Sequence, residues 1–250
     1  MTPEGWNGAI VVAAGGSRRM EGRDKQFALL GGQTVLAWSV GAFEATPAVQ
    51  AIVVVANPQT LEQMRALGQQ IGWRKVVAVV PGGLRRQDSA GQGLAALETA
   101  ARAAGTRLDL VLVHDGARPL VSRALIERGI AAAADHGAAI AAVRARDTVK
   151  VVDRTGQIEA TPDRATLWHA QTPQVFRYDL LAPAYRQAQE QNLTVTDDAG
   201  LLEALGIPVY VFEGDPRNLK ITTPEDLAVA EALLASYSPV MSSSVDPALP

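Results

Sequence analysis

The chain has 250 residues, with 23 lysines and arginines against 26 aspartates and glutamates, for a net charge of −3. That balance gives no basic excess to argue for a nucleic-acid partner, and the absence of cysteine excludes disulfides and thiolate metal sites, so any metal must sit on oxygen or imidazole. No apolar run approaches the roughly 20 residues that cross a bilayer, and Met1-Thr2-Pro3-Glu4-Gly5-Trp6 lacks the basic-then-apolar order of a signal peptide, so the expectation is a cytoplasmic protein with no membrane partner.

Ile10–Ala13 reads as a buried strand that breaks into the small-residue turn Ala14-Gly15-Gly16-Ser17, with Arg18, Arg19 and Lys25 behind it. Glycines let a backbone approach a phosphate without a Cβ in the way. Exposed N–H groups in such a turn form an anion nest, and Arg and Lys supply the charge a polyphosphate needs. The segment therefore points to a nucleoside triphosphate site. It is neither of the two commonest phosphate loops: Gly15-Gly16-Ser17-Arg18-Arg19-Met20 lacks the dinucleotide spacing, and Lys25 is followed by Gln26 rather than by Ser or Thr.

Further along, Ala51–Ala56, Lys75–Val80, Leu108–His114 and Ala138–Val143 are short runs of Val, Ile, Leu and Ala, as expected of strands buried on both faces of a parallel sheet. Helical patterns lie between them. Asn57-Pro58 predicts an N-cap and N1 proline opening a helix to about Gln70. Ser89–Ala104 closes at Gly105, and Ser122–His136 at Gly137. Thr223-Pro224-Glu225-Asp226 starts a last helix to about Ala235. The alternation predicts an α/β fold with helices on both faces, in which ligands sit at the carboxyl ends of the strands.

The stretch of about 144–176 breaks this rhythm. Thr148–Val152, a turn at Asp153-Arg154-Thr155-Gly156 and Gln157–Thr161 predict a β-hairpin with polar faces. A lone hairpin is marginal, so a second subunit is the expected support. The tail Ser236–Pro250 is Ser- and Pro-rich and is expected to be disordered.

The chemistry-bearing motifs fall at strand ends. In His114-Asp115-Gly116-Ala117-Arg118-Pro119, Asp115 suits a Mg²⁺ ligand beside phosphates, or a turn residue. His114 alone reads as a structural histidine. Gly82-Gly83 before Ser89 could admit a base or ribose, with Ser89 a helix cap or a ligand contact. Asp147-Thr148-Val149-Lys150, Arg164 and Gln171-Thr172-Pro173-Gln174 could hold a second phosphorylated substrate. Thr194-Val195-Thr196-Asp197-Asp198 places two carboxylates before a helix. Lys220 sits within what reads as a short apolar strand, where it must pair, reach a ligand or snorkel.

In this order, the motifs resemble the 2-C-methyl-D-erythritol 4-phosphate cytidylyltransferase family. The landmarks are Ala13-Ala14-Gly15 with Arg19-Met20 and Lys25-Gln26, Gly82-Gly83 with Arg86 and Ser89, and His114-Asp115 with Ala117-Arg118-Pro119. Asp147-Thr148 with Lys150, Leu167-Trp168-His169-Ala170 with Thr172-Pro173-Gln174, Thr196-Asp197-Asp198-Ala199, and Lys220-Ile221-Thr222 with Pro224-Glu225-Asp226 complete the set. The likeness spans roughly residues 8 to 235.

The resemblance implies a single Rossmann-like nucleotidyltransferase domain over residues 1–235, with a mostly parallel sheet and a protruding β-arm. It implies a homodimer joined through that arm, with CTP and Mg²⁺ used and pyrophosphate released. Position by position, it implies that Arg19 and Lys25 stabilise the transition state. Ala13, Ala14, Gly15, Gly82, Ser89 and Gly116 would line the nucleotide pocket. Asp115 would hold Mg²⁺ and place the reacting phosphate, with Arg118 and Thr196 beside the substrate. Thr148 and Arg164 from the partner's arm, with Lys220, would hold the methylerythritol phosphate.

Three positions depart from the family pattern: Ser17 for a glycine, Asp24 for the frequent proline before the lysine, and Gly116 for the common alanine. Asp24 is expected to compete with phosphate for Lys25. Some relatives continue into a cyclodiphosphate synthase, for which this chain stops too early. The competing readings are a cytidylyltransferase for another polyol phosphate such as ribitol 5-phosphate, a nucleotide-binding subunit without turnover, and a glycosyltransferase. The last expects an Asp-x-Asp motif where only Asp115 occurs.

Overall fold

A computed structural model describes residues 5–15 and 24–237. The expectations for Gly16, Ser17, Arg18, Arg19 and Met20, and for the tail beyond Tyr237, lie outside the described residues.

In chain order the elements are β1 (Trp6–Ala13), β2 (Leu29–Leu30), β3 (Gln33–Thr34), α1 (Val35–Glu44), β4 (Ala51–Ala56), α2 (Leu61–Ile71) and β5 (Val76–Pro81). There follow α3 (Arg86–Ala103), β6 (Leu108–Asp115), α4 (Arg123–His136), β7 (Ala138–Arg144), β8 (Val151–Val152) and β9 (Ile158–Ala160). The chain continues with β10 (Trp168–Arg177), α5 (Tyr178–Glu190), α6 (Ala199–Ala204), β11 (Tyr210–Glu213) and α7 (Pro224–Tyr237).

Seven strands form the central sheet in the order β11-β7-β10-β6-β1-β4-β5. All pairs are parallel except those of β10, which runs antiparallel to β6 and β7. Alternating side chains of β1 go to opposite faces, as the two-residue period of a strand requires. Ile10 and Val12 pack with Leu94 and Leu97 of α3 and Leu181 of α5. Ala9, Val11 and Ala13 pack with Leu36 and Val40 of α1 and Leu125 of α4. Both faces are thus covered by helices, which is why the strands read as continuous apolar runs.

Helix α3 lies especially close to the sheet. A Cβ on Gly93 would sit 2.4 Å from Ile10 Cγ2 and 2.9 Å from Val55 Cγ2, so only glycine fits there. After β1 the chain builds β4 and β5 on one side, then α3 carries it back to β6 on the other side of β1. The strand order therefore reverses between β1 and β6. A crevice opens at such a switch point, beyond the carboxyl ends of the strands. Ala14 and Gly15 leave β1 there, and Asp115 ends β6 there.

Two short strands, β8 and β9, pair antiparallel and form the predicted hairpin. The sequence reading carried the arm to residue 176, but the chain returns to the central sheet at Trp168. Gln171-Thr172-Pro173-Gln174 belongs to β10, with a bulge between Ala170 and Gln174 and a cis Thr172–Pro173 bond. At the arm's root the Arg144 guanidinium stacks 4.4 Å from the Trp168 ring centroid.

Candidate active site

A cleft of about 190 Å³ occupies the switch point. Val12, Ala14 and Gly15 form one side, Gly83, Leu84, Arg85, Arg86 and Ser89 a second, and Lys25, Gln26, Asp115, Ala117 and Lys220 the remainder. Asp115 is the one acidic residue among the described residues lining it.

The buried Asp115 carboxylate meets three cations. Arg86 Nε donates to Oδ1 at 3.1 Å, Lys220 Nζ lies 2.8 Å from Oδ2, and Arg118 Nε lies 3.6 Å from the same oxygen. Burial alone would raise the Asp115 carboxyl, but the charges of Arg86, Lys220 and Arg118 overcome it and hold the group well below the usual carboxylate range. Arg86 bridges onward, its Nη1 donating to Asp198 Oδ2 at 2.6 Å. Burial opposes its charge, yet the two carboxylates keep its pKa raised.

A hydrogen-bond chain holds the backbone end of Asp115. Its N–H donates to Thr172 Oγ1 at 3.1 Å, and Thr172 Oγ1 lies 2.9 Å from His114 Nδ1. His114 Nε2 faces the carbonyl oxygen of Arg118 at 3.2 Å. A carbonyl only accepts, so Nε2 carries the proton and Nδ1 accepts from the Thr172 hydroxyl. This network fits a neutral imidazole. Burial pushes the His114 pKa down to about 3, so His114 is a structural support here.

The residues singled out in the sequence divide clearly. Ala14, Gly15, Lys25, Ser89, Asp115 and Lys220 line the cleft. Lys25 opens a short 3₁₀ turn to Phe27, and the Asp24 carboxylate caps that turn, accepting from Gln26 N at 3.0 Å. Asp24 thus has a structural use that its expected competition with phosphate did not foresee.

Ala13 is fully buried within the sheet core rather than in the cleft lining. Gly82 stands behind the lining: a Cβ there would be 2.3 Å from Ala14 Cβ and 2.8 Å from Ser89 Oγ. Its glycine is thus required by two neighbouring side chains. Ser89 lies inside α3 instead of capping it, and its Oγ accepts from Gly83 N at 3.1 Å. Gly116 is buried, its N–H bonded to Val12 O at 2.9 Å.

Arg118 braces the site from beneath, with Nη1 donating to Asn218 O at 2.7 Å. Lys220 sits in a loop, correcting the strand expected there. Ile221 N bonds Ala117 O at 2.8 Å and ties that loop to the turn after β6. Thr148, Arg164 and Thr196 are exposed and do not line this cleft. Arg164 Nη1 donates to Arg146 O at 2.9 Å at the base of the arm.

The pairing of Arg86 with Asp198 is not among the expectations from sequence. One signal was available. Arg86 is the first residue of α3, where the helix dipole disfavours a cation, so a carboxylate partner was to be expected.

A doubly wound sheet with a cation-ringed cleft at its switch point defines an α/β nucleotide-binding protein. The family model of 2-C-methyl-D-erythritol 4-phosphate cytidylyltransferase matches residues 8–236. Enzymes of that name from Dehalococcoides mccartyi (strain CBDB1) and Pelotomaculum thermopropionicum are 45% and 47% identical over 227 and 228 residues. The alignments cover 91% and 90% of this chain and 95% and 93% of the relatives. The solved 4-diphosphocytidyl-2C-methyl-D-erythritol synthase from Anaerococcus prevotii superposes with a TM-score of 0.80 at 29% identity, covering 92% of this chain and 96% of that one. The cytidylyltransferase structure from Thermus thermophilus gives 0.70 at 32% identity, covering 92% and 99%. The chain belongs to the 2-C-methyl-D-erythritol 4-phosphate cytidylyltransferase family, and with it to the nucleotidyltransferases.

Proposed function

We propose that this chain transfers the cytidylyl group of CTP to 2-C-methyl-D-erythritol 4-phosphate in isoprenoid precursor synthesis. A phosphate oxygen of the polyol phosphate attacks the α-phosphorus of CTP. The bond from that phosphorus to the bridging oxygen breaks, and pyrophosphate leaves with the electron pair. The products are 4-diphosphocytidyl-2-C-methyl-D-erythritol and pyrophosphate. No covalent enzyme intermediate is needed, so positioning and charge stabilisation supply the rate.

The observation that carries this reading is the placing of Lys25, Arg86 and Lys220 around one cleft whose single carboxylate, among the described residues, is Asp115. The Ala14–Gly15 backbone and Gly83 offer close approach to nucleotide. Lys25, with Arg19, would meet the charge that builds on the α-phosphate. Lys220 would orient the attacking phosphate.

Asp115 also fits Mg²⁺, because one hard carboxylate plus substrate phosphate oxygens is a usual set for that ion. Among the described residues no cluster of three His, Asp or Glu offers an all-protein cage. When bound, Mg²⁺ would neutralise charge on the phosphate oxygens.

The arm supports a homodimer. Val149, Val151, Val152 and Ile158 are exposed on or beside a two-stranded hairpin without a core of its own. In that arrangement Thr148 and Arg164 reach the partner's cleft, which explains their absence from the lining of their own. Thr196 would approach the substrate from beside α6. No helix among the described residues is long and apolar enough to cross a membrane. The two small polar substrates of the proposed reaction place its work in the cytoplasm.

Product analysis tests the reading. Incubation with CTP, the polyol phosphate and Mg²⁺ should yield the cytidine diphosphate ester and pyrophosphate in equal amounts. Bound CTP left unconsumed in folded protein would contradict it.

A further inference from the structure

Asp198 immediately precedes α6, a position where an aspartate ordinarily accepts from the first helical N–H groups. It makes no such bond. Those groups are met by others: Gly200 N donates to Asp197 Oδ1 at 3.1 Å, and Asp198 N and Ala199 N donate to Gln174 Oε1 at 3.1 and 3.2 Å. The Asp198 carboxylate, 1% exposed, turns toward α3 and α5 instead. Its Oδ2 accepts from Arg86 Nη1 at 2.6 Å, and its Oδ1 accepts from the Tyr185 hydroxyl. Neither Asp198 nor Tyr185 lines the cleft.

We infer that Asp198 and Tyr185 are positioning residues for the reaction proposed above: they hold the Arg86 guanidinium so that Nε meets Asp115 Oδ1 and leaves Oδ2 to Lys220. A guanidinium fork facing a single carboxylate takes both of its oxygens. Without Asp198, Arg86 would span Asp115 and displace the Lys220 ammonium. Asp198 divides the fork between two acids and so sets where Lys220 stands. Tyr185 acts one link further out. Its hydroxyl fixes Asp198 Oδ1, and burial followed by the Asp198 charge raises its pKa well above the ordinary phenol value, so it stays a donor.

The inference rests on the proposed reaction, and two measurements separate their fates. The first is steady-state kinetics on full-length protein. Asp198→Asn should lower kcat by about tenfold or more and Tyr185→Phe by about threefold, with KM for CTP within about twofold of wild type, as expected when geometry rather than binding is lost. Asp198→Asn added to Arg86→Gln should cost nothing further, because both act through one contact. An unchanged kcat in folded Asp198→Asn, a loss confined to KM, or losses that multiply would overturn the inference. Should Asp198→Asn not fold, Tyr185→Phe carries the kinetic test. The second measurement is the crystal structure of the variant that folds. In Asp198→Asn, Arg86 should span both Asp115 oxygens. In Tyr185→Phe, the Arg86–Asp115 contact should lengthen. Unmoved Arg86 and Lys220 would overturn the positioning role even for a wild type that does not turn over CTP, a result that by itself would overturn only the proposed reaction.

Discussion

Lys220 Nζ stands 2.8 Å from Asp115 Oδ2, although the two come from different parts of the fold, a loop before α7 and the end of β6. The Ile221–Ala117 backbone bond fastens loop to turn, so the ammonium is held in place before substrate arrives. Lys220→Met should lower kcat/KM for the methylerythritol phosphate by about 10²-fold, the scale of losing one transition-state charge contact. Affinity for CTP alone, measured by calorimetry, should change little. An equal loss in CTP binding would move Lys220 to the nucleotide half of the cleft.

His114 gives a pH signature in stability. Buried among Thr172, the Arg118 carbonyl, Phe43 and the charged Asp115–Arg86–Arg118 group, it stays neutral in the folded chain down to about pH 3. Unfolded, it takes a proton near pH 6.5. Between those values the unfolded chain binds the extra proton, so stability falls as pH falls. Asp115 contributes nothing between pH 7 and 5, because its folded pKa is depressed and its unfolded carboxyl titrates only near 3.8. From pH 7 to 5 the His114 contribution amounts to about 2 kcal/mol, or roughly 4–8 °C in Tm. Calorimetry on wild type and His114→Gln should show a lower Tm for the variant at pH 7 but a flatter pH dependence. Parallel curves would mean that His114 protonates freely in the fold.

Gly82 offers a steric test of the proposed nucleotide wall. Its missing Cβ is what lets Ala14 and Ser89 approach one another. Gly82→Ala should displace both and raise KM for CTP by roughly tenfold, while overpacking of this kind costs only about 1–3 kcal/mol of stability. A variant with wild-type KM would show that Ala14 and Ser89 do not shape the nucleotide contact.

The arm makes a prediction in trans. Lys25→Ala and Arg164→Ala should each lose on the order of 10²-fold in kcat. If Arg164 serves the partner's cleft, mixing the two variants after subunit exchange restores about one quarter of wild-type activity, because half the dimers carry one intact site. No gain on mixing would place Arg164 in its own subunit's chemistry.

Much of the sheet was legible because β1, β4, β6 and β7 are largely buried on both faces and so read as unbroken apolar runs, while β5, an edge strand with Val77 exposed, was legible from its β-branched composition alone. Strand β10 was not. Gln171, Thr172 and Gln174 are buried yet polar, and what satisfies them comes from far along the chain: the Asp215 carbonyl, His114 and Asp197. Helix α1 was missed because Val35–Glu44 is apolar on nearly every side, which leaves no stripe to read. Asp115 and Lys220 were legible as cleft residues, one by its place at a strand end and the other as a lysine among apolar residues. The Arg86–Asp198 contact was not legible, since the place of Arg86 at the start of α3 calls for a carboxylate without saying which, and Asp198 lies 112 residues away, just before α6.

The most direct test of the central claim is kcat/KM with CTP for 2-C-methyl-D-erythritol 4-phosphate against ribitol 5-phosphate, read as pyrophosphate release, with UTP and ATP in place of CTP as controls. The account predicts turnover with the methylerythritol phosphate and CTP, and at most weak turnover with any other pair. A preference for ribitol 5-phosphate, or equal use of UTP, would contradict it.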